Sequence, residues 1–126
     1  MLIGQITDIH IGFEPGNPDE PNLHRLRAVL ERLFDGPNRI DLLLLTGDLT
    51  ENGDAQSYGQ LRAALASAPC PVLPIPGNHD ERAALAAAFP QSGEAGGFQQ
   101  YAYETGDLRL LMLDTFEPGR HGGAFC

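Results

Sequence analysis

Four consecutive leucines, Leu42 to Leu45, lie inside an apolar run from Ile40 to Thr46 with no hydrophobic–polar alternation. A strand with one wet face alternates, so a continuous run predicts a strand covered on both faces, the habit of a parallel sheet. Its neighbours agree. Leu2 to Ile9 reads as a strand and Phe13 to Asn22 as a Pro- and Gly-rich loop. A helix follows from Pro21 to Phe34, with Leu23, Leu26, Leu30, Leu33 and Phe34 on one face and Pro21 in the first turn. Asp54 to Ser67 predicts a second helix capped by Asp54 and facing inward through Tyr58, Leu61 and Leu65. Val72 to Ile75 is a short strand bracketed by prolines, which donate nothing to a ladder. Glu81 to Phe89 reads as a third helix, capped by Asp80, followed by a glycine-rich loop over Ser92–Gly97. Gln99–Glu104 and Leu108–Asp114 read as a hairpin, and a glycine-rich tail runs from Glu117 to Cys126. Alternating strands and helices predict an α/β fold: a mostly parallel sheet with flanking helices and right-handed crossovers.

Composition narrows the function. The chain has 126 residues, 17 acids against eight bases and a net charge of -9. All eight bases are Arg. That excludes a groove tracking a nucleic-acid backbone and docking on an anionic membrane. No apolar run approaches the ~20 residues that span a bilayer, and no signal-peptide pattern opens the chain. Two cysteines, Cys70 and Cys126, make no disulfide framework. The expected setting is the cytoplasm.

In open parallel sheets, ligands bind beyond the carboxyl ends of the strands. Three polar clusters fall there: Asp8-Ile9-His10, Gly47-Asp48 and Gly77-Asn78-His79-Asp80. Each is one crossover from the next, so they should meet on one edge. In an extended segment residues two apart share a side, so Asp8 and His10 can grip one ion. Asp48 has two oxygens and can bridge two cations; Asn78 offers a neutral carbonyl oxygen. Mixed oxygen and imidazole ligation suits Mn, Fe, Co, Ni or Zn better than Ca. Singly, each cluster reads as a solvated strand end, a turn or a helix cap; their order along successive strands is the signal.

Those motifs resemble the calcineurin-like metallophosphoesterases, whose signature is D-x-H, G-D and G-N-H-D/E, each after a strand. Thr46-Gly47-Asp48-Leu49-Thr50, Leu113-Asp114-Thr115 and Pro118-Gly119-Arg120-His121-Gly122-Gly123 further resemble the class III cyclic-nucleotide and glycerophosphodiester phosphodiesterase branch. The resemblance implies a domain over residues 1–126 that is the amino-terminal half of an αββα sandwich. It implies hydrolysis of a small phosphodiester by a bridging hydroxide at a dinuclear centre. Asp8 and His10 would hold the first ion, Asp48 would bridge, and Asn78 would hold the second. His79 would not ligate but would protonate the leaving alkoxide or stabilise the transition state.

Family members carry three further ligating histidines, one alone and two in G-H-x-H, in the carboxy-terminal half that this sequence lacks. The first site therefore keeps three ligands and the second only two, which predicts a weak second site. The competing reading is a non-catalytic fragment that folds and binds at most one metal tightly. A missing half would expose an incomplete sheet, which predicts self-association. His24 is expected to face solvent; His121, in the glycine-rich tail, reads as a solvated loop residue that is within reach of the site edge. A phospho-acceptor receiver domain of similar size is excluded by the lack of Lys.

Overall fold

A computed structural model describes residues 1–93 and 97–124. Residues 94–96 of the predicted loop, and Cys126, lie outside the described residues. The elements are β1 (Ile3–Ile6), α1 (Pro21–Asp35), β2 (Leu42–Thr46), α2 (Ala55–Leu65), β3 (Val72–Ile75), α3 (Arg82–Ala88), β4 (Tyr101–Thr105) and β5 (Leu108–Met112), with a 3-10 turn at Pro90–Ser92. The first three strands form a parallel sheet in the order β1-β2-β3, and β4 and β5 pair antiparallel in a separate two-stranded sheet. The α/β architecture with a parallel sheet and flanking helices is therefore as expected.

The leucine run is buried on both faces. Leu43 and Leu45 join Leu23, Leu26 and Leu30 of α1, Tyr58, Leu61 and Leu65 of α2, and Leu85 of α3 in the larger core. Leu42, from the other face, packs with Leu73 and Met112 in a second core that Leu44, Tyr101 and Tyr103 extend. So helices cover one face of the sheet and the hairpin covers the other. Each fully buried leucine contributes about 2 kcal/mol. With leucine on both faces, alternation cannot fix the register. Polar pins at both ends do: Leu2 and Asp41 exchange hydrogen bonds at the amino end, and Gln5 Nε2 donates to Thr46 Oγ1 at the carboxyl end. Pro74 sits in an edge strand, where its missing N–H is tolerated.

Three expectations are corrected. Strand β1 ends at Ile6, not Ile9, because Asp8 and His10 have left-handed backbone conformations that no strand can contain. Asp8 and His10 are thus brought together by a strained loop and not by strand alternation. Asp80 does not cap α3: the cap is Glu81, whose carboxylate accepts from the amides of Ala83 and Ala84. Asp80 is instead buried between loops, as described below. The hairpin strands are also shorter than expected, and Asp114 lies beyond β5. The other elements match to within two residues, including the Asp54 cap of α2 and Pro21 in the first turn of α1. No helix among the described residues is long and apolar enough to cross a membrane.

Candidate metal centre

After β1 and β2 the chain continues as two loops that run side by side. The Asp8 amide donates to the Gly47 carbonyl at 3.1 Å, His10 to Asp48 at 2.9 Å and Ile11 to Leu49 at 3.1 Å. Three non-glycine residues here have positive φ: Asp8 (55°), His10 (50°) and Asp48 (49°). Asp and His are among the side chains that tolerate this region, yet each such residue carries about 1–3 kcal/mol of strain. The conformation turns all three side chains to one point. One ligand atom from each of Asp8, His10 and Asp48 lies within 4.8 Å of the others.

The third loop closes on them. Gly77 lies against Asp48 so tightly that a Cβ there would overlap the Asp48 carboxylate and amide. The His79 amide donates to Asp48 Oδ1 at 3.1 Å. Asp80 ties the second and third loops to each other and to α2. Its carboxylate accepts from the amides of Leu49, Thr50 and Gly77 at 3.0, 3.1 and 2.9 Å, and from the Tyr58 hydroxyl at 2.7 Å. Burial pushes its pKa up, against the pull of those donors.

A second cluster shares His10. His10, Glu51 and His79 also bring ligand atoms within 4.8 Å. His10 Nδ1 is 2.7 Å from Glu51 Oε2, and the two imidazole rings meet edge to face at 4.7 Å. His79 Nδ1 is 3.0 Å from the Glu51 carbonyl oxygen. That contact raises the His79 pKa; partial burial opposes it, and the charges of Asp48, Glu51 and Asp80 add to the rise. A cavity of about 570 Å³ opens in front of Asp8, His10, Glu51 and His79, bordered by Phe13 and Arg25.

The structure thus brings Asp8, His10 and Asp48 to one point, with His79 beside them. Asn78 sits in the same loop and borders an adjacent cleft of about 220 Å³, shared with Thr46, Thr115 and His121. His24 is exposed near Asp19 and away from the centre, as expected. His121 is exposed and lines the Asn78 cleft. Sequence reasoning passed over Glu51. Its place three residues beyond Asp48 was the available signal, but nothing in composition says which way it turns.

The donor set fits a divalent cation. Two carboxylates and an imidazole nitrogen are held together on strained backbone, and like charges at this range repel unless a cation lies between them.

The chain matches the calcineurin-like phosphoesterase family over residues 1–119. It belongs to that family. It is 32% identical over 121 residues to the 3',5'-cyclic adenosine monophosphate phosphodiesterase CpdA of Pseudomonas aeruginosa, covering 94% of this chain and 43% of that protein. It is 35% identical to a probable cyclic nucleotide phosphodiesterase of Synechococcus sp., covering 98% of this chain and 47% of the relative. It is 29% identical to the glycerophosphodiester phosphodiesterase GpdQ of Enterobacter lignolyticus, covering 98% and 46%. The chain spans about half the length of the curated relatives it matches.

Proposed function

We propose that the chain is the metal-binding half of a phosphodiester hydrolase. In this reading Asp8, His10 and Asp48 hold one divalent cation, Asp48 and Asn78 contribute to a second, and His79 serves the leaving group. The observation that carries it is the convergence of Asp8, His10 and Asp48 from three strained backbone positions. Mn, Fe, Co, Ni or Zn held there would supply Lewis-acid polarisation of a phosphoryl oxygen and a water of lowered pKa.

The protein's own part follows from its hydrogen bonds. A carbonyl only accepts, so His79 must carry a proton on Nδ1 toward Glu51. Its raised pKa enlarges the imidazolium population near neutrality. Such a group can hand the Nε2 proton to a departing alkoxide. The His79 amide bond to Asp48 keeps acid and metal ligand in fixed relation. A phosphodiester as substrate is supported by the names of the relatives, which are cyclic nucleotide and glycerophosphodiester phosphodiesterases.

The test is release of p-nitrophenolate from bis(p-nitrophenyl) phosphate with Mn²⁺, beside Asp48→Ala. Release that Asp48→Ala abolishes is expected; release that survives the substitution removes the mechanism. A second reading is favoured by the length covered in the relatives and by the two ligands counted at the second site. There the chain binds one cation and turns nothing over. Calorimetric Mn²⁺ binding without p-nitrophenolate would select it.

A cytoplasmic setting and self-association belong to the same proposal. The free thiol of Cys70 supports the first. Exposed Leu111 and Ile3 support the second. A light-scattering mass of 13.6 kDa, one chain, would overturn the self-association.

A further inference from the structure

His10 faces two ways. Its Nε2 lies 3.9 Å from Asp48 Oδ2, on the side where Asp8, His10 and Asp48 converge. Its Nδ1 lies 2.7 Å from Glu51 Oε2, on the side where His10, Glu51 and His79 converge. The two donor sets differ in kind. The first offers two carboxylates and one imidazole, the second two imidazoles and one carboxylate. Oxygen-rich sets suit Mn, whereas imidazole suits Zn. Two His and one Glu, with water in the fourth position, make a zinc site.

The spacing agrees with that chemistry. Bonds of about 2.0–2.1 Å put the ligand atoms of a tetrahedral Zn²⁺ about 3.3 Å apart. The 2.7 Å from His10 Nδ1 to Glu51 Oε2 and the 3.8 Å from His79 Nδ1 to Glu51 Oε1 fall on either side of that value. The second pair is beyond hydrogen-bond range, which leaves Oε1 open to a cation. Backbone bonds hold the three residues in place. The His10 amide donates to the Asp48 carbonyl at 2.9 Å, the Glu51 amide to the Ile11 carbonyl at 2.9 Å, and the His79 amide to Asp48 Oδ1 at 3.1 Å. The three side chains are partly exposed, and the cavity of about 570 Å³ in front of them admits an ion and its water.

We propose that His10, Glu51 and His79 form a separate Zn²⁺ site whose occupation switches the centre off. A neutral imidazole has one lone pair, so His10 serves one cation at a time. Ligation at Nδ1 leaves the His10 proton on Nε2, the nitrogen turned toward Asp48, with nothing to give a cation there. His79, once it ligates, has spent the lone pair that would make it an imidazolium and cannot supply a leaving-group proton. The inhibition rests on the hydrolase reading above; the Zn²⁺ site stands without it.

The first test needs no variant. One equivalent of Zn²⁺ is added to the metal-free, ¹⁵N-labelled chain and the imidazole nitrogens are followed by two-bond ¹H–¹⁵N spectra. Those of His10 and His79 should shift together, while those of exposed His24 and His121 stay in place. A shift at His10 without one at His79 would put the zinc with Asp8 and Asp48 and overturn the proposal. Calorimetry then separates the two donor sets. Asp48→Ala should lose Mn²⁺ binding and keep Zn²⁺ affinity within about threefold of wild type. Adding His79→Asn or Glu51→Gln to Asp48→Ala should cost more than the ~100-fold that loss of an outer partner of a ligand costs. Zn²⁺ affinity that falls with Mn²⁺ affinity in Asp48→Ala, or that survives both second substitutions, also overturns the proposal. Failure of the hydrolase reading looks different: Asp48→Ala would bind Mn²⁺ as tightly as wild type while Zn²⁺ still shifts His79.

Discussion

The loops at the carboxyl edge of the parallel sheet and the β4–β5 hairpin are held in place by opposite means. At the sheet edge three ligand-type residues sit at positive φ, and hydrogen bonds between the first two loops, together with those around buried Asp80, keep them there. The hairpin strands have no such strain; their one positive φ is the turn glycine, Gly106. The hairpin is attached through a small apolar cluster, a hydrogen bond from the Tyr101 hydroxyl to the Pro74 carbonyl at 2.9 Å, and an ion pair. Arg82 Nε and NH2 meet the two oxygens of Asp114 at 2.7 and 3.0 Å, and the guanidinium lies 4.7 Å from the Phe98 ring centroid and 5.0 Å from that of Phe116. Strained conformations persist only where the surroundings over-determine them. A relaxed hairpin needs only a point of attachment. Damage to Asp80 should therefore spread into the metal centre, and damage to the Arg82 clamp should not.

The largest effect is expected from Asp80→Ala. It strands the amides of Leu49, Thr50 and Gly77 and the Tyr58 hydroxyl in the interior. Each buried donor left alone costs about 1–3 kcal/mol, so a total near ~4 kcal/mol is expected after relaxation. Mn²⁺ affinity should fall with stability, because the same bonds hold Asp48 against Gly77. Urea unfolding and calorimetry on one preparation would check both. Loss of stability with intact affinity would show that the ligands hold their positions without Asp80.

Arg82→Met comes next and should separate the two regions. Asp114 is fully buried, and removing Arg82 leaves its charge to the amides of Gln99 and Phe116 alone, at a cost of about 3 kcal/mol. The hairpin and the Thr115–Gly123 segment should loosen. Mn²⁺ affinity at Asp8, His10 and Asp48 should stay within error of wild type. A parallel fall in affinity would mean that the hairpin supports the metal centre after all. Gly77→Ala reverses the pattern at about 2 kcal/mol, a typical overpacking cost. Its methyl would land on Asp48, so affinity should fall further than stability alone accounts for.

The same contrast explains what could be read in the sequence. Periodicity and the leucine run carry the sheet and helices because burial is a sum over many residues, and the sum survives local exceptions. The clusters of Asp8, His10, Asp48 and His79 were legible as residue types at strand ends. Their local geometry was not. A period-two argument placed Asp8 and His10 on one side of a strand, whereas the backbone achieves the same meeting through positive φ at both. Asp80 was read as a helix cap because it precedes α3, but the adjacent Glu81 competes for that role and wins. Asp80 is then free to bond amides 30 residues away in sequence, which no local pattern encodes. Arg82, Asp114, Phe98 and Phe116 are similarly scattered and meet only once the hairpin folds back.

A smaller effect should appear in the pH dependence. Burial alone would raise the Asp114 pKa, but Arg82 and the amides of Gln99 and Phe116 more than offset it and hold the carboxyl below its ordinary 3.8. A carboxyl depressed in the folded state adds stability above the unfolded pKa and loses it as pH falls through the folded value. Urea midpoints for wild type should therefore drop below pH 3.8, and Asp114→Asn, already weakened, should lose less over that range. Equal slopes would mean that the ion pair contributes nothing to acid sensitivity.

The smallest expected change carries the opposite sign. Asp48→Asn keeps an acceptor for the His79 amide and places in the left-handed region a residue that favours it. It also removes one of two like charges facing each other. In EDTA the variant should be more stable than wild type, by up to ~1 kcal/mol, as relief of strain at a functional position commonly is. With saturating Mn²⁺ the order should invert, because only wild type gains from ligand linkage. Thermal melts in the two buffers test this directly. If Asp48→Asn melts below wild type in EDTA, the strain is not located at the metal ligands, and the contrast between the two regions loses its physical basis.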